Sequence, residues 1–242
     1  MLLTNALDLQ QKFTFGQGMN KLLMRIRHEF ILRRLATILS VAIITLTALA
    51  SVTGILLSFY YEPTAGGAYQ SLQFINTQVQ NGWLIHRLHN IAGNGAIVIA
   101  LIQIVVMFLG RQFRASWLTA WISGILFALS AIGLAWTAMI LSWDQLGYWR
   151  FRIELQTIEA IPVIGSQLRD ILTGGAIDTE TVEHLYALHS YVVSVGAVIL
   201  AVIHLWSLLQ QEKEQNTLIA TVSRVDELQD EPRQETELVE TR

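Results

Sequence analysis

LIHRLHNIAGNGAIVIALIQIVVMFL, residues 84–109, carries one charged residue, Arg87, near its start. A run of this length crosses the roughly 30 Å hydrocarbon core of a bilayer as an α-helix, which needs about 20 residues. Its valines and isoleucines favour strands in water. In lipid every backbone amide must be satisfied within the segment, so the helix prevails over that preference. Two polar residues lie inside the run. They are His89 and, 14 residues later, Gln103.

Three more runs of the same kind flank it, near 35–60, 117–142 and 185–209. The 242-residue chain is 52% hydrophobic and only 14% charged, against roughly 25% charged in soluble domains. The expected fold class is an all-α membrane protein, a bundle of four transmembrane helices. The expected organisation is a basic, interfacial arm over 1–34, a membrane domain over 35–209 and a polar, unstructured tail over 210–242. The arm does not read as a cleavable signal peptide, because it mixes polar and apolar residues and ends in a basic cluster. The tail is rich in Glu, Gln, Thr and Asp, a composition that stays solvated. No internal repeat is visible along the chain.

Basic residues set the orientation. Lys21, Arg25, Arg27, Arg33 and Arg34 precede the first run, and Arg111 and Arg114 separate the second from the third. The connection between the first and second runs has no Lys or Arg. The positive-inside rule then places both termini on the cytoplasmic side. The second and fourth runs therefore both travel from outside to inside. The connection over 143–184 contains apolar pieces such as IEAIPVIGSQLRDIL. It is expected to form short amphipathic helices on the outer membrane surface.

Several function classes drop out. A net charge of -3 and the lack of a basic stripe argue against a nucleic-acid partner. The chain has no cysteine. That excludes disulfides, iron–sulfur clusters, thiolate metal sites and thioether-linked haem on this chain. The six histidines are the strongest transition-metal ligands left.

His89 and His189 lie near the outer ends of the second and fourth runs. Co-directional helices bring them to matching depth, the arrangement that grips a haem iron from both faces of a flat macrocycle. Further along the fourth run, His204 is 15 residues from His189, a net rotation of about 60° and a rise of about 22 Å. The matching depth on the second run is Gln103, at about -40° and 21 Å from His89. The pattern is that of two stacked sites with one of four ligands replaced. The bland alternative is a pore, proton-relay or packing role, since polar groups at membrane depth mark function without naming haem. His86 and His184 sit near the membrane surface as propionate or headgroup contacts, or simply solvated. His28 lies in the basic arm. Gly54, Gly93, Gly95, Gly124 and Gly133 admit either a macrocycle against the backbone or close helix packing.

Several stretches resemble a known family: SFYYEPT at 58–64, GWLIHRLHN at 82–90, SWDQLGYW at 142–149, EAIPVIG at 159–165 and LYALHSY at 185–191. They are similar to the short, split cytochrome b of the photosynthetic cytochrome b-f complex, over nearly all of the membrane part. The resemblance implies two b haems stacked across the membrane on four histidines. By position His89 and His189 match the outer pair and His204 one inner ligand, while the other inner ligand falls on Gln103. It implies one b haem at the outer site, with a second at the inner site open. There, either His204 alone holds a five-coordinate haem, or the haem is lost and Gln103 and His204 share a hydrogen bond. The family's helix-A cysteine, which tethers an extra haem, falls in LATILS, so no covalent haem c is expected. The basic residue three before the outer ligand falls on His86, with Arg87 or protonated His86 as substitute. A glycine late in the third helix falls on Ala138, narrowing the space beside the outer haem.

The resemblance also implies the function: membrane electron carriage in a quinol/quinone-linked respiratory or photosynthetic chain. The chain would be one subunit of a larger complex and not a complete enzyme. Implied partners are lipid, quinol or quinone, a companion membrane subunit carrying the remaining quinol-site helices, and an iron–sulfur protein. The implied location is a thylakoid or bacterial plasma membrane. The alternative is a non-catalytic assembly, anchoring or redox- or gas-sensing paralogue with a structural haem.

Overall fold

The computed structural model describes residues 2–110 and 117–240, with side chains from Phe30 onward and only scattered ones beyond Glu214. The side chains of Lys21, Arg25, Arg27, His28, Arg111 and Arg114 lie outside the described residues, and so does the structure of 111–116. The helices are α1 (Leu2–Ser58), α2 (Ala68–Thr77), α3 (Gly82–Leu109), α4 (Leu118–Leu141), α5 (Gln145–Glu159), α6 (Gly165–Thr173), α7 (Thr179–Ala187) and α8 (Ser194–Glu240). A single π-turn, Leu188–Val193, joins α7 to α8. No strand occurs among the described residues. Four segments are long and apolar enough to cross a membrane: Phe30–Ser58, Gly82–Leu109, Leu118–Leu141 and Thr179–Glu214. The expected all-α, four-span membrane fold is the one observed.

Neighbours in the bundle are α1 with α3, α3 with α4, α4 with α8, and α8 with α1. Its midsection is built largely from alanine. Ala96, Ala100, Ala128, Ala131, Ala197 and Ala201 are buried with Ile43 and Phe127. Lipid tails are as apolar as leucine, so small residues that permit close backbone approach hold such a bundle together. Large apolar residues such as Ile55, Val98, Leu129 and Ile199 face outward instead, as expected where the surrounding medium is hydrocarbon.

At the outer end, α5 to α7 seal the bundle. Ala68, Ile140, Leu141, Phe151, Leu155, Val182 and Leu185 form a second buried cluster there. Asp144 caps α5 by accepting from the Gly147 amide at 2.7 Å. A Cβ on Gly147 would lie 2.8 Å from the Met139 carbonyl oxygen, so only glycine lets α5 turn back this tightly. Trp136 Nε1 donates to Glu154 at 2.6 Å. Tyr61 donates its phenolic hydrogen to the Leu141 carbonyl at 2.9 Å. Burial pushes the Tyr61 phenol well above its ordinary value, so it remains a donor. At the inner end Arg33 stacks over the Trp117 ring at 5.1 Å, and Arg34 pairs with Glu212.

Two features differ from the sequence reading. The first connection contains the helix α2, whose buried Ala68, Ser71 and Ile75 pack under the outer rim. The backbone of the polar tail continues α8 as helix to Glu240. The physical reason is that Glu, Gln, Leu and Lys are good helix formers, and extending an existing helix costs far less than nucleating one.

Candidate haem site

Helices α3 and α8 bring His89 and His189 together, with ring centroids 6.3 Å apart and planes inclined at 58°. A metal–imidazole bond of about 2.0 Å on each side, plus the distance from ring nitrogen to ring centre, requires a separation of about 6 Å. One six-coordinate metal fits between the rings.

The other side of each ring is anchored. His89 Nδ1 donates to the Ala50 carbonyl on α1 at 2.9 Å, with Thr53 Oγ1 at 3.3 Å. His189 Nδ1 donates to Thr137 Oγ1 on α4 at 2.7 Å. The Thr137 hydroxyl gives its own hydrogen to the Gly133 and Leu134 carbonyls, both at 3.0 Å. A carbonyl only accepts, so Nδ1 carries the proton and Nε2 of each neutral ring keeps its lone pair. Anchoring of this kind fixes the tautomer and the orientation of a metal-binding histidine.

The glycines divide into two groups. A Cβ on Gly54 would lie 3.0 Å from His89 Cε1, and one on Gly124 would lie 2.8 Å from His204 Cε1. The missing side chains therefore admit the imidazoles themselves. A Cβ on Gly93 or Gly133 would meet nothing within 4 Å. Those two positions border open space of the sort a macrocycle edge needs. Gly95 lies against Leu46, whose Cδ1 would be 3.3 Å away.

Toward the inner side His204 is 2% exposed. Its Nδ1 donates to the Ala120 carbonyl at 2.9 Å, with Ser123 Oγ at 3.2 Å. Its Nε2 is buried and has no hydrogen-bond partner. Leaving such an atom unpaired is costly, so it reads as a ligand atom directed at something not made of protein. Gln103 is 3% exposed and donates to the Ala36 carbonyl at 2.8 Å. The hydrogen bond between Gln103 and His204, one of the two sequence-level alternatives, is not formed.

These contacts repeat, although no repeat is visible in the sequence read linearly. The Ala50 carbonyl that anchors His89 and the Ala36 carbonyl that anchors Gln103 are 14 residues apart, like His89 and Gln103 themselves. On α4, Thr137 and Ser123 are also 14 apart. Their partners His189 and His204 are 15 apart. The π-turn at Leu188–Val193 takes up the extra residue, because an i→i+5 bond inserts one residue into a helical turn. The net rotation from His189 to His204 thus falls from the expected 60° to about -40°, matching α3. The anchoring residues Thr53, Thr137 and Ser123 are absent from the sequence-level candidates. Their signal was present as a hydroxyl residue followed by a small residue: Thr53–Gly54, Ser123–Gly124 and Thr137–Ala138.

The rim residues occupy different settings. His86 Nδ1 pairs with Asn76 Oδ1 of α2 at 2.9 Å, while Arg87 and His184 are exposed. No group of three or more His, Asp or Glu residues suited to a metal exists among the described residues. The histidine pair and His204 are thus the metal-binding candidates.

The model of the family described as Cytochrome b/b6/petB matches residues 30–212, which contain all of these positions. The chain belongs to the cytochrome b family. It is 32% identical to the cytochrome b6 of Auxenochlorella protothecoides over 160 residues, 66% of this chain and 74% of that protein. The cytochrome b6 of Synechococcus elongatus matches to the same extent. A solved chain of a hyperthermophilic respiratory Complex III superposes with a TM-score of 0.63 over 72% of this chain, at 21% identity. That likeness concerns the fold, and this cytochrome b spans about half (47%) of the solved chain. Membership makes the chain a membrane cytochrome b subunit of quinol-linked electron transfer.

Proposed function

We propose that this cytochrome b holds one b-type haem between His89 and His189, near the outer leaflet, and relays single electrons through it. The observation that carries the reading is the pair of anchored imidazoles whose 6.3 Å separation suits one iron. Bound there, haem supplies a reversible one-electron couple. His89 and His189 serve as axial ligands. Ala50, Thr53 and Thr137 hold their rings in the metal-binding tautomer. Gly93 and Gly133 leave room for the macrocycle edges. The outer cluster around Phe151 and Leu185 keeps water from the site, which preserves a low local dielectric. Arg87 and His86 are placed to meet propionates at the rim, His86 being steadied by Asn76.

Both termini are assigned to the cytoplasmic or stromal side, in a thylakoid or bacterial plasma membrane. Helices α5 to α7 then line the outer, quinol-facing surface. The working complex takes in a companion membrane subunit with further quinol-site helices and an iron–sulfur protein. Covalently attached haem c is not part of the reading, since the chain offers no cysteine. The fixed, non-ligand bond of Gln103 to Ala36 favours a second reading, a sensing or anchoring paralogue with an altered electron path.

The test is the reduced-minus-oxidised spectrum of the purified protein, with quinol as reductant. A reversible low-spin b band is expected, and it should vanish in His89→Ala and in His189→Ala. Persistence of the band in both variants would refute the ligand assignment. A band that dithionite reduces but quinol does not supports the sensing reading.

A further inference from the structure

Four ligand positions are built to one plan, and one of them has been rebuilt. At the outer position on α3, the Ala50 carbonyl anchors His89, Thr53 stands three residues after it and Gly54 four residues after it. Shifted by 14 residues, the inner position has the Ala36 carbonyl, Leu39 and Ser40. The ligand is Gln103 in place of histidine, the hydroxyl has moved one place along, and the glycine is gone. At Gly54 an added Cβ would already press on the imidazole at 3.0 Å. Ser40 carries that Cβ and a hydroxyl oxygen besides. Histidine at 103 would therefore collide with Ser40, whereas the flexible Gln103 does not. The two changes belong together.

The remainder of the inner position is intact. His204 keeps its carbonyl anchor at Ala120, its hydroxyl Ser123 and its ring cradle at Gly124. Two atoms are buried there without partners, His204 Nε2 and Ser40 Oγ. Ser40 is 1% exposed and His204 2%. A site that had merely lost its cofactor would gain by pairing or filling these atoms, since each unsatisfied buried group costs about 1–3 kcal/mol. Gln103, tied to Ala36 through its amide nitrogen, does not supply the missing partner.

We infer that the inner site takes a second haem with His204 as its only protein ligand, and that the Ser40–Gln103 side leaves the sixth position open to a small neutral diatomic molecule. The inference rests on the haem reading above. Polar groups beside an open coordination position decide which small ligands stay. The Ser40 hydroxyl and the Gln103 amide are such groups, in a pocket that excludes water. A hydroxyl facing that position also disfavours a purely apolar filling.

The experiment uses the full-length haem-loaded protein, haem-to-protein stoichiometry and carbon monoxide as the probe. The expected result is two haems per chain. One is low-spin and indifferent to carbon monoxide, and the other is high-spin with a Soret band that shifts when the gas is added to reduced protein. His204→Ala should remove the gas-sensitive haem and leave the low-spin band. Gln103→His alone should still bind carbon monoxide, because Ser40 blocks the ring. Ser40→Gly with Gln103→His should convert the inner haem to low spin and abolish the shift. One haem per chain with no carbon monoxide shift overturns the inference while the outer-haem reading stands. Loss of the shift in Gln103→His alone overturns the coupling to Ser40. Should the double variant fail to fold, the wild-type stoichiometry and His204→Ala decide the matter.

Discussion

Gly54→Ala and Gly54→Val test the central geometry most directly. The Cβ of alanine at this position would lie 3.0 Å from His89 Cε1 and 3.4 Å from Nδ1. Comfortable carbon contacts are about 3.5–4.0 Å, so the ring must retreat by about 0.5–1 Å. Its retreat is constrained, because Nδ1 is held by the Ala50 carbonyl at 2.9 Å, one helical turn from Gly54. Movement away from α1 runs toward His189 and shortens the 6.3 Å separation. Metal–nitrogen bonds of about 2.0 Å do not compress to match. Overpacking of this kind costs about 1–3 kcal/mol, equivalent to about a tenfold to hundredfold loss of haem affinity. Alanine is expected at the lower end, and valine, with two further carbons, at or beyond the upper end. Haem titration of the apoprotein, followed at the low-spin band, measures the loss. Thermal unfolding of the apoprotein controls for the fold. Wild-type haem content and an unshifted band in Gly54→Val would refute the reasoning, because the ring could not then be clamped between α1 and the iron.

Gly93→Leu is the complementary case. No atom lies within 4 Å of an added Cβ there, so the apoprotein should melt at the wild-type temperature while outer haem binding falls; unchanged haem content would mean the macrocycle lies elsewhere. Thr137→Val removes the hydroxyl that His189 reaches at 2.7 Å while keeping the volume. Loss of such a supporting partner should weaken haem retention about 10–100-fold, and Thr137→Ser should restore it. Equal retention in the valine and serine variants would show that the hydroxyl does not orient the ring.

The membrane-spanning segments were legible because lipid leaves the chain little choice. Four long apolar stretches must become helices, and the observed spans coincide with 84–109 and nearly so with 117–142. The pairing of His89 with His189 was legible for a related reason. Helix repeat and orientation place two side chains at equal depth without any knowledge of packing. The WDQLGYW and EAIPVIG stretches carried the family resemblance, although neither contains a candidate ligand.

What the linear pattern could not supply are relations across helices. The contact of His89 with Ala50 joins residues 39 apart, and that of His204 with Ala120 joins residues 84 apart. Periodicity within one helix says nothing about which carbonyl a neighbouring helix will offer. The 15-residue interval on α8 implied a 60° error that only the π-turn at Leu188–Val193 removes. Gln103 was recognisable in the sequence as a missing ligand. Its commitment to Ala36, and the presence of Ser40 where Gly54 has its counterpart, required helices α1 and α3 to be packed side by side. Lipid solvation and helical repeat thus determine the spans and the depth of each polar group, because both act locally along the chain. The direction and partner of each imidazole depend on close packing between segments far apart in sequence, which is settled only when the bundle assembles.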